Sequence, residues 1–148
     1  MRYGYKTVLV AVDGSEEAKS ALNKGIQVAK DDGAKLVIAH VIDTRTFAAV
    51  EHYDRMVFSE AEKYAENLLD KYKQQATEAG VNEVEVVLEY GSPKVKISKD
   101  IVEKFDVNLV VTGATGLNTV ERFLIGSVSE YIIRHVKCDV LIVREDYK

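Results

Sequence analysis

The sequence predicts an α/β domain built on an open, doubly wound parallel sheet, and three observations carry that prediction. Four short runs of branched apolar residues are continuous rather than alternating, as expected of strands buried on both faces. Amphipathic helical patterns with recognisable ends lie between the runs. Strand and helix alternate strictly and the order ends on a strand, which favours right-handed crossovers between parallel neighbours.

Taken in order, TVLVAV (Thr7 to Val12) is the first strand. After Ser15, the apolar positions Ala18, Ala21, Leu22, Ile26 and Ala29 recur at three and four. Glu16 and Glu17 occupy the first turn and Gly33 lies past the end, so this segment is an amphipathic helix. KLVIAHVI (Lys35 to Ile42) is the second strand. Asp43 to Phe58 lacks a clean period and holds Arg45, His52, Asp54 and Arg55, so it reads as a long connection. Ser59 and Glu62 are placed as a capping box ahead of Ala61, Tyr64, Ala65, Leu68, Leu69 and Tyr72, with Gly80 closing that helix.

VEVVLEY (Val84 to Tyr90) alternates more than the other runs and is expected as an outer strand. Ser92-Pro93 supplies an N-cap and a first-turn proline for a third helix carrying Ile97, Ile101 and Phe105. VNLVV (Val107 to Val111) is the fourth strand. Ser127 and Glu130 are expected to box the start of a fourth helix with Val128, Tyr131 and Ile132 inward, and DVLIV (Asp139 to Val143) is the last strand.

The 148 residues, 47% hydrophobic and 30% charged, fit one domain spanning 1–148 with a substantial core. Twenty Lys and Arg against 24 Asp and Glu give a net charge of -4, scattered along the chain, which argues against a nucleic-acid partner. The single cysteine, Cys138, excludes an internal disulfide, a CxxC pair and a cysteine-rich zinc site, and makes a reducing cytoplasm the expected compartment. No run approaches the ~20 apolar residues needed to span a bilayer, and the N-terminal apolar run is too short for a signal peptide.

The segment TGATGLNTVERFLIGSVSE (Thr112 to Glu130) raises the functional question. Ligands of open α/β sheets bind outside the carboxyl ends of the strands where the strand order reverses. If the order is 3-2-1-4-5, that point lies between the first and fourth strands, where Asp13-Gly14-Ser15 and Thr112-Gly113 fall. Gly113 and Gly116 would expose amides along a turn, and Gly126-Ser127 would open a helix whose free N–H groups suit an anion. Singly, each has a plainer reading as turn, loop residue or N-cap; together they describe a phosphate cradle.

The spacing Gly113-x2-Gly116-x9-Gly126-Ser127 resembles the nucleotide-binding pattern of the universal stress proteins. KTVLVAVDGS, HV, GSP, VTGATG and GSVSEYIIRHVKCDVLIVR resemble the same family in the same order, from Lys6 to Arg144. The resemblance implies a flavodoxin-like sheet of five strands in the order 3-2-1-4-5, usually dimeric, with an ATP-binding branch marked by this glycine pattern. It would place Asp13 on the ribose or adenine side and backbone groups of Val41 against adenine. Gly113 and Gly116 would line the ribose and phosphates, and Gly126, Ser127, Val128 and Ser129 would hold the phosphates. Ala11, Val12 and Thr112 complete the candidate nucleotide-binding positions. The family often has Pro where this chain has Ala11, and Cys-Pro where it has Cys138-Asp139; the second departure touches the strand, Asp139 to Val143, through which such homodimers pair.

Asp13 has an alternative role as cap of the first helix. Arg122, inside the insert between Gly116 and Gly126, is either a phosphate contact or a solvated loop residue, and magnesium is the preferred counter-charge for ATP. His40, His52 and His135 are too scattered to suggest a metal site and read as structural; Cys138 reads as a small core residue. GxxxxGK[ST], HExxH and GxSxG are absent, so no catalytic residue is named. Two functions stay open: a nucleotide-sensing regulatory module of the stress response, and a slow ATPase or phosphotransferase using the same pocket. A receiver-type signalling domain is disfavoured, because VDGS and EYGSP lack the acids it needs.

Overall fold

The computed structural model describes residues 3–44, 55–114 and 125–144. Strands β1 (Thr7–Ala11), β2 (Lys35–Asp43), β3 (Val84–Gly91), β4 (Leu109–Gly113) and β5 (Asp139–Val143) form one sheet in the order β3-β2-β1-β4-β5, all neighbours parallel. This is the expected doubly wound order. Side chains alternate across it into two cores. Val8, Val10 and Leu36 pack under α1 (Glu16–Asp32) and α2 (Arg55–Ala79). Leu9, Val37 and Val110 pack on the other face under α3 and α4 (Ser127–His135). Helix α3 comprises an α turn Pro93–Val95, a π segment Lys96–Ile101 and a closing α turn Val102–Lys104.

Local chemistry fixes the ends of these elements. Ser15 caps α1, its Oγ accepting the Ala18 N–H at 3.1 Å. Gly33 ends the helix at φ 64°, in the left-handed region that costs a side-chain-bearing residue about 1–2 kcal/mol. At the foot of the sheet, Asn108 Oδ1 accepts from Lys6 N and Thr7 N, both at 2.9 Å, locking the start of β1 to the start of β4.

Four expectations are corrected. The capping box at Ser59 and Glu62 falls inside α2, which already runs from Arg55; Glu62 instead accepts a hydrogen bond from the Tyr90 hydroxyl of β3. The long connection from Asp43 to Phe58 is shorter than expected, because β2 continues to Asp43 and α2 begins before Phe58; residues 45–54 lie outside the described chain. The fourth strand begins at Leu109, not Val107, since Asp106 turns the chain with φ 52°. The N-cap of α4 is Gly126, extended at φ -64° and ψ 159°, with Ser127 its first helical residue. Glu130 does not reach back to box the start but pairs forward with Arg134 at 3.0 Å.

Asp139, the residue that departs from the family's proline, is exposed and accepts a hydrogen bond from Tyr5 Oη at 2.7 Å. That bond, then partial burial and the neighbouring carboxylates, push the Tyr5 phenol up to about 12. A raised folded-state value means this contact stabilises the fold fully below the ordinary value of 10.0 and is lost as pH rises through about 12. Tyrosine absorbance in an alkaline titration is expected to show one phenol returning toward its ordinary value in Asp139→Asn, while the high phenol of Tyr90, held by Glu62, stays. An unchanged titration in that variant would show that Tyr5 does not depend on Asp139.

Candidate functional site

The carboxyl ends of β1 and β4 are neighbours, as the order requires, and β2 flanks β1 on the other side. The register pairs Val10 with Val111 and Ala11 with Ala39, so the chain just beyond Ala11 rises beside Thr112-Gly113 on one side and His40-Val41 on the other. Ala11, Val12, Asp13, Val41, Thr112 and Gly113 therefore share one end of the sheet. Val12, Val41 and Thr112 are buried there, at 5, 8 and 6% exposure.

The end of β1 has a specific construction. Val12 N–H still donates to Ala39 O at 2.9 Å, but Val12 O, which the parallel ladder would hand to the Val41 amide, lies 2.8 Å from His40 Nδ1. A carbonyl can only accept, so that ring nitrogen carries the proton. The backbone of Val41, next to His40 in β2, lies at this same end of the sheet. This is the group assigned to adenine from the sequence, and His40 is the residue that sequence reasoning left as structural. Nothing in the apolar run KLVIAHVI marks it; the register of β1 against β2 is needed to see it.

Asp13 sits in the turn that follows. Its Oδ1 accepts Ser15 N–H at 2.9 Å, which fixes the carboxylate and the entry into α1, while Ser15 makes the cap itself. The alternative in which Asp13 caps α1 is therefore answered: it braces the cap, and Oδ2 has no partner among the described residues. Gly14 supplies the sharp turn at φ 85°, with Tyr64 Oη of α2 2.6 Å from where a Cβ would stand.

The glycine pattern is brought together in part. Gly126 N–H donates to Ala114 O at 2.6 Å, so the start of α4 abuts the end of β4 across residues 115–124. Gly116 and Arg122 belong to that span, outside the described residues. Gly113 differs from expectation: it is the last residue of β4, buried, and has no positive φ. Its missing side chain admits α1, since a Cβ would stand 3.0 Å from Glu17 Cβ and 3.2 Å from its carbonyl carbon. The Ser129 hydroxyl is likewise engaged, donating to Gly113 O at 2.5 Å, so Ser129 offers only its backbone. What remains is the helix start itself. The first intrahelical bond of α4 runs from Glu130 N to Gly126 O, which leaves the amides of Ser127, Val128 and Ser129 without helical partners. Ser127, the first residue of the helix, is exposed.

These residues can do two things chemically. Three amides at the positive end of a helix attract an anion. A fixed carboxylate with one open oxygen accepts from hydroxyl groups.

The model of the universal stress protein family matches residues 4–144. A Staphylococcus aureus (strain USA300) chain named as a universal stress protein is 50% identical over 142 residues, covering 96% of this chain and 86% of the relative. Among solved structures, universal stress protein UspA from Lactobacillus plantarum superposes with a TM-score of 0.82 at 27% identity, over 97% of this chain and 100% of that one. A universal stress protein solved in complex with cAMP superposes with a TM-score of 0.71, also at 27% identity, over 97 and 100% of the two chains. With its sheet order, its glycine pattern and these likenesses in agreement, the chain belongs to the universal stress protein family.

Proposed function

We propose that this protein binds ATP across the carboxyl ends of β1, β2 and β4 and acts as a nucleotide-sensing regulatory module in stress response, paired as a homodimer through β5. The observation that carries the reading is the convergence, at one sheet end, of the Asp13 carboxylate, the backbone of Val41 and the three amides of α4 without helical partners. Adenine lies against Val41, Asp13 Oδ2 accepts from the ribose, and Ser127, Val128 and Ser129 receive the phosphates through their N–H groups. Gly116, outside the described residues, is the remaining position that the glycine pattern assigns to the ribose and phosphates. That a relative 27% identical was solved with cAMP supports an adenine nucleotide as the ligand class.

Magnesium fits this arrangement as a phosphate-borne ion. Among the described residues no three His, Cys, Asp or Glu side chains gather to hold one, so the phosphates and water would supply its oxygens. No helix of the described residues is long and apolar enough to cross a membrane, in keeping with the cytoplasmic setting we assign.

Asp13→Ala is expected to weaken ATP by about tenfold to a hundredfold, the worth of one hydrogen bond to a charged group, ~1.5–3 kcal/mol. Inorganic triphosphate should lose much less, because the carboxylate faces the nucleoside. Calorimetry with both ligands decides the matter. Equal losses would mean that Asp13 acts by bracing Ser15 and not by touching ATP.

A further inference from the structure

Helices α3 and α4 part toward the foot of the sheet, the end opposite Asp13 and Gly113, and leave a cleft of about 860 Å³. That volume lies in the ~300–1,000 Å³ range of small-molecule sites. Its mouth is shaped by the N-terminal segment, which is pinned in place: Asp32 accepts from Tyr3 N and Tyr5 N, both at 2.8 Å, and Tyr5 Oη reaches Asp139. The cleft is thus held open by polar contacts of the fold itself.

Ser98 gives it a polar floor. The residue is 8% exposed, lines the cleft, and its hydroxyl has no hydrogen-bond partner among the described residues. A serine within a helix commonly satisfies itself on the preceding turn. Ser98 instead sits in the π segment Lys96–Ile101, a widened turn of the kind that recurs at functional sites.

The walls indicate the ligand. Tyr131 and His135 stack with ring centroids 3.9 Å apart, and Lys94 Nζ lies over the Tyr131 ring at 6.0 Å, so the α4 side offers the ring of His135 and the edge of Tyr131, and Tyr5 stands at the mouth. Burial pushes the Cys138 thiol up, so it is a protonated, polarisable wall and not a nucleophile. Lys99 and Lys137 stand against Glu103, Asp106 and Asp139, leaving one net negative charge, so the cleft disfavours an anion, and among the described residues no acidic cluster gathers to hold a cation. We infer that the cleft between α3 and α4 is a second ligand site, for an uncharged planar aromatic molecule whose hydroxyl or amide group bonds Ser98 Oγ. It shares no residue with the proposed nucleotide crevice and does not depend on it.

The test uses the ¹⁵N-labelled full chain titrated with 4-hydroxybenzamide, a flat, neutral probe with both polar groups. Saturable shifts are expected at the amides of Ser98, Tyr131 and Cys138, equally with ATP present. Ser98→Ala, shown to be folded by its spectrum, should bind about two- to tenfold more weakly, the loss of one neutral hydrogen bond. Tyr131→Ala should weaken it as well. Absence of shifts at these amides up to millimolar probe, shifts confined to Asp13, Gly113 and Ser127, or undiminished affinity in Ser98→Ala would each overturn the assignment.

Discussion

Gly25→Val is expected to destabilise the protein by about 3 kcal/mol or more, a fall in melting temperature of roughly 6–12 °C for a chain of this size. Gly25 lies in the middle of α1, where helix propensity alone favours almost any replacement by up to about 1 kcal/mol. Packing reverses the sign. A Cβ built on Gly25 would stand 2.3 Å from Cγ2 of Val10, which is fully buried in β1 and, being β-branched, has little rotamer freedom to yield. The only relief is for α1 to lift from the sheet, which would open the core that Ala21, Leu22 and Ala29 fill. Gly25→Ala should move stability in the same direction by a smaller amount. Thermal unfolding of both variants checks this, and a parent-like midpoint for each would mean that α1 does not lie so close to β1.

Ile142→Lys is expected to convert the proposed homodimer into monomer. β5 is the edge of the sheet beside β4, with Val140, Leu141 and Ile142 half-buried, so a short apolar strand is left with one row of unpaired backbone groups. A two-fold mate pairing antiparallel would satisfy those groups and cover the side chains. A lysine at the centre of that contact brings its own symmetry copy with it, two charges to desolvate without a partner. Asp139 is a different case. It is exposed and hydrogen-bonded to Tyr5 of its own chain, so its carboxylate is expected to stay hydrated at the rim of the proposed contact and to leave the pairing intact. Sedimentation at micromolar concentration is expected to give a dimer for the parent and a monomer for Ile142→Lys. A parent monomer would refute edge pairing, and a dimer in both would move the interface elsewhere.

Much of the fold was legible because strand burial is written locally. Runs such as TVLVA and DVLIV, apolar on both faces, have few alternatives in a chain of this length, and the more alternating VEVVLEY did prove to be the edge strand β3. The helix starts were less legible, because a cap depends on backbone angles. Ser127-x2-Glu130 has the composition of a capping box, yet Gly126 holds the extended angles and Glu130 has Arg134 within reach. The π segment of α3 has no local signature in KISKDI.

The candidate site was legible as a set of positions and not as roles. Asp13 keeps one carboxylate oxygen without a partner among the described residues, and Ser127 stands exposed at the start of α4. Gly113 turns out to serve the approach of α1, and the Ser129 hydroxyl is spent on Gly113 O, because β4 and α4 meet more closely than chain order reveals. His40, read as structural, does hold structure, but its contact with Val12 O is visible only where β1 ends against β2.

If ATP lies across the carboxyl ends of β1, β2 and β4, diffusing it into a crystal of the full chain will show it there. The adenine is predicted to lie against the Val41 backbone, with the ribose on Asp13 Oδ2 and the phosphates on the amides of Ser127, Val128 and Ser129. A nucleotide bound elsewhere, or none at millimolar ATP in a crystal whose sheet end is open to solvent, would contradict the account.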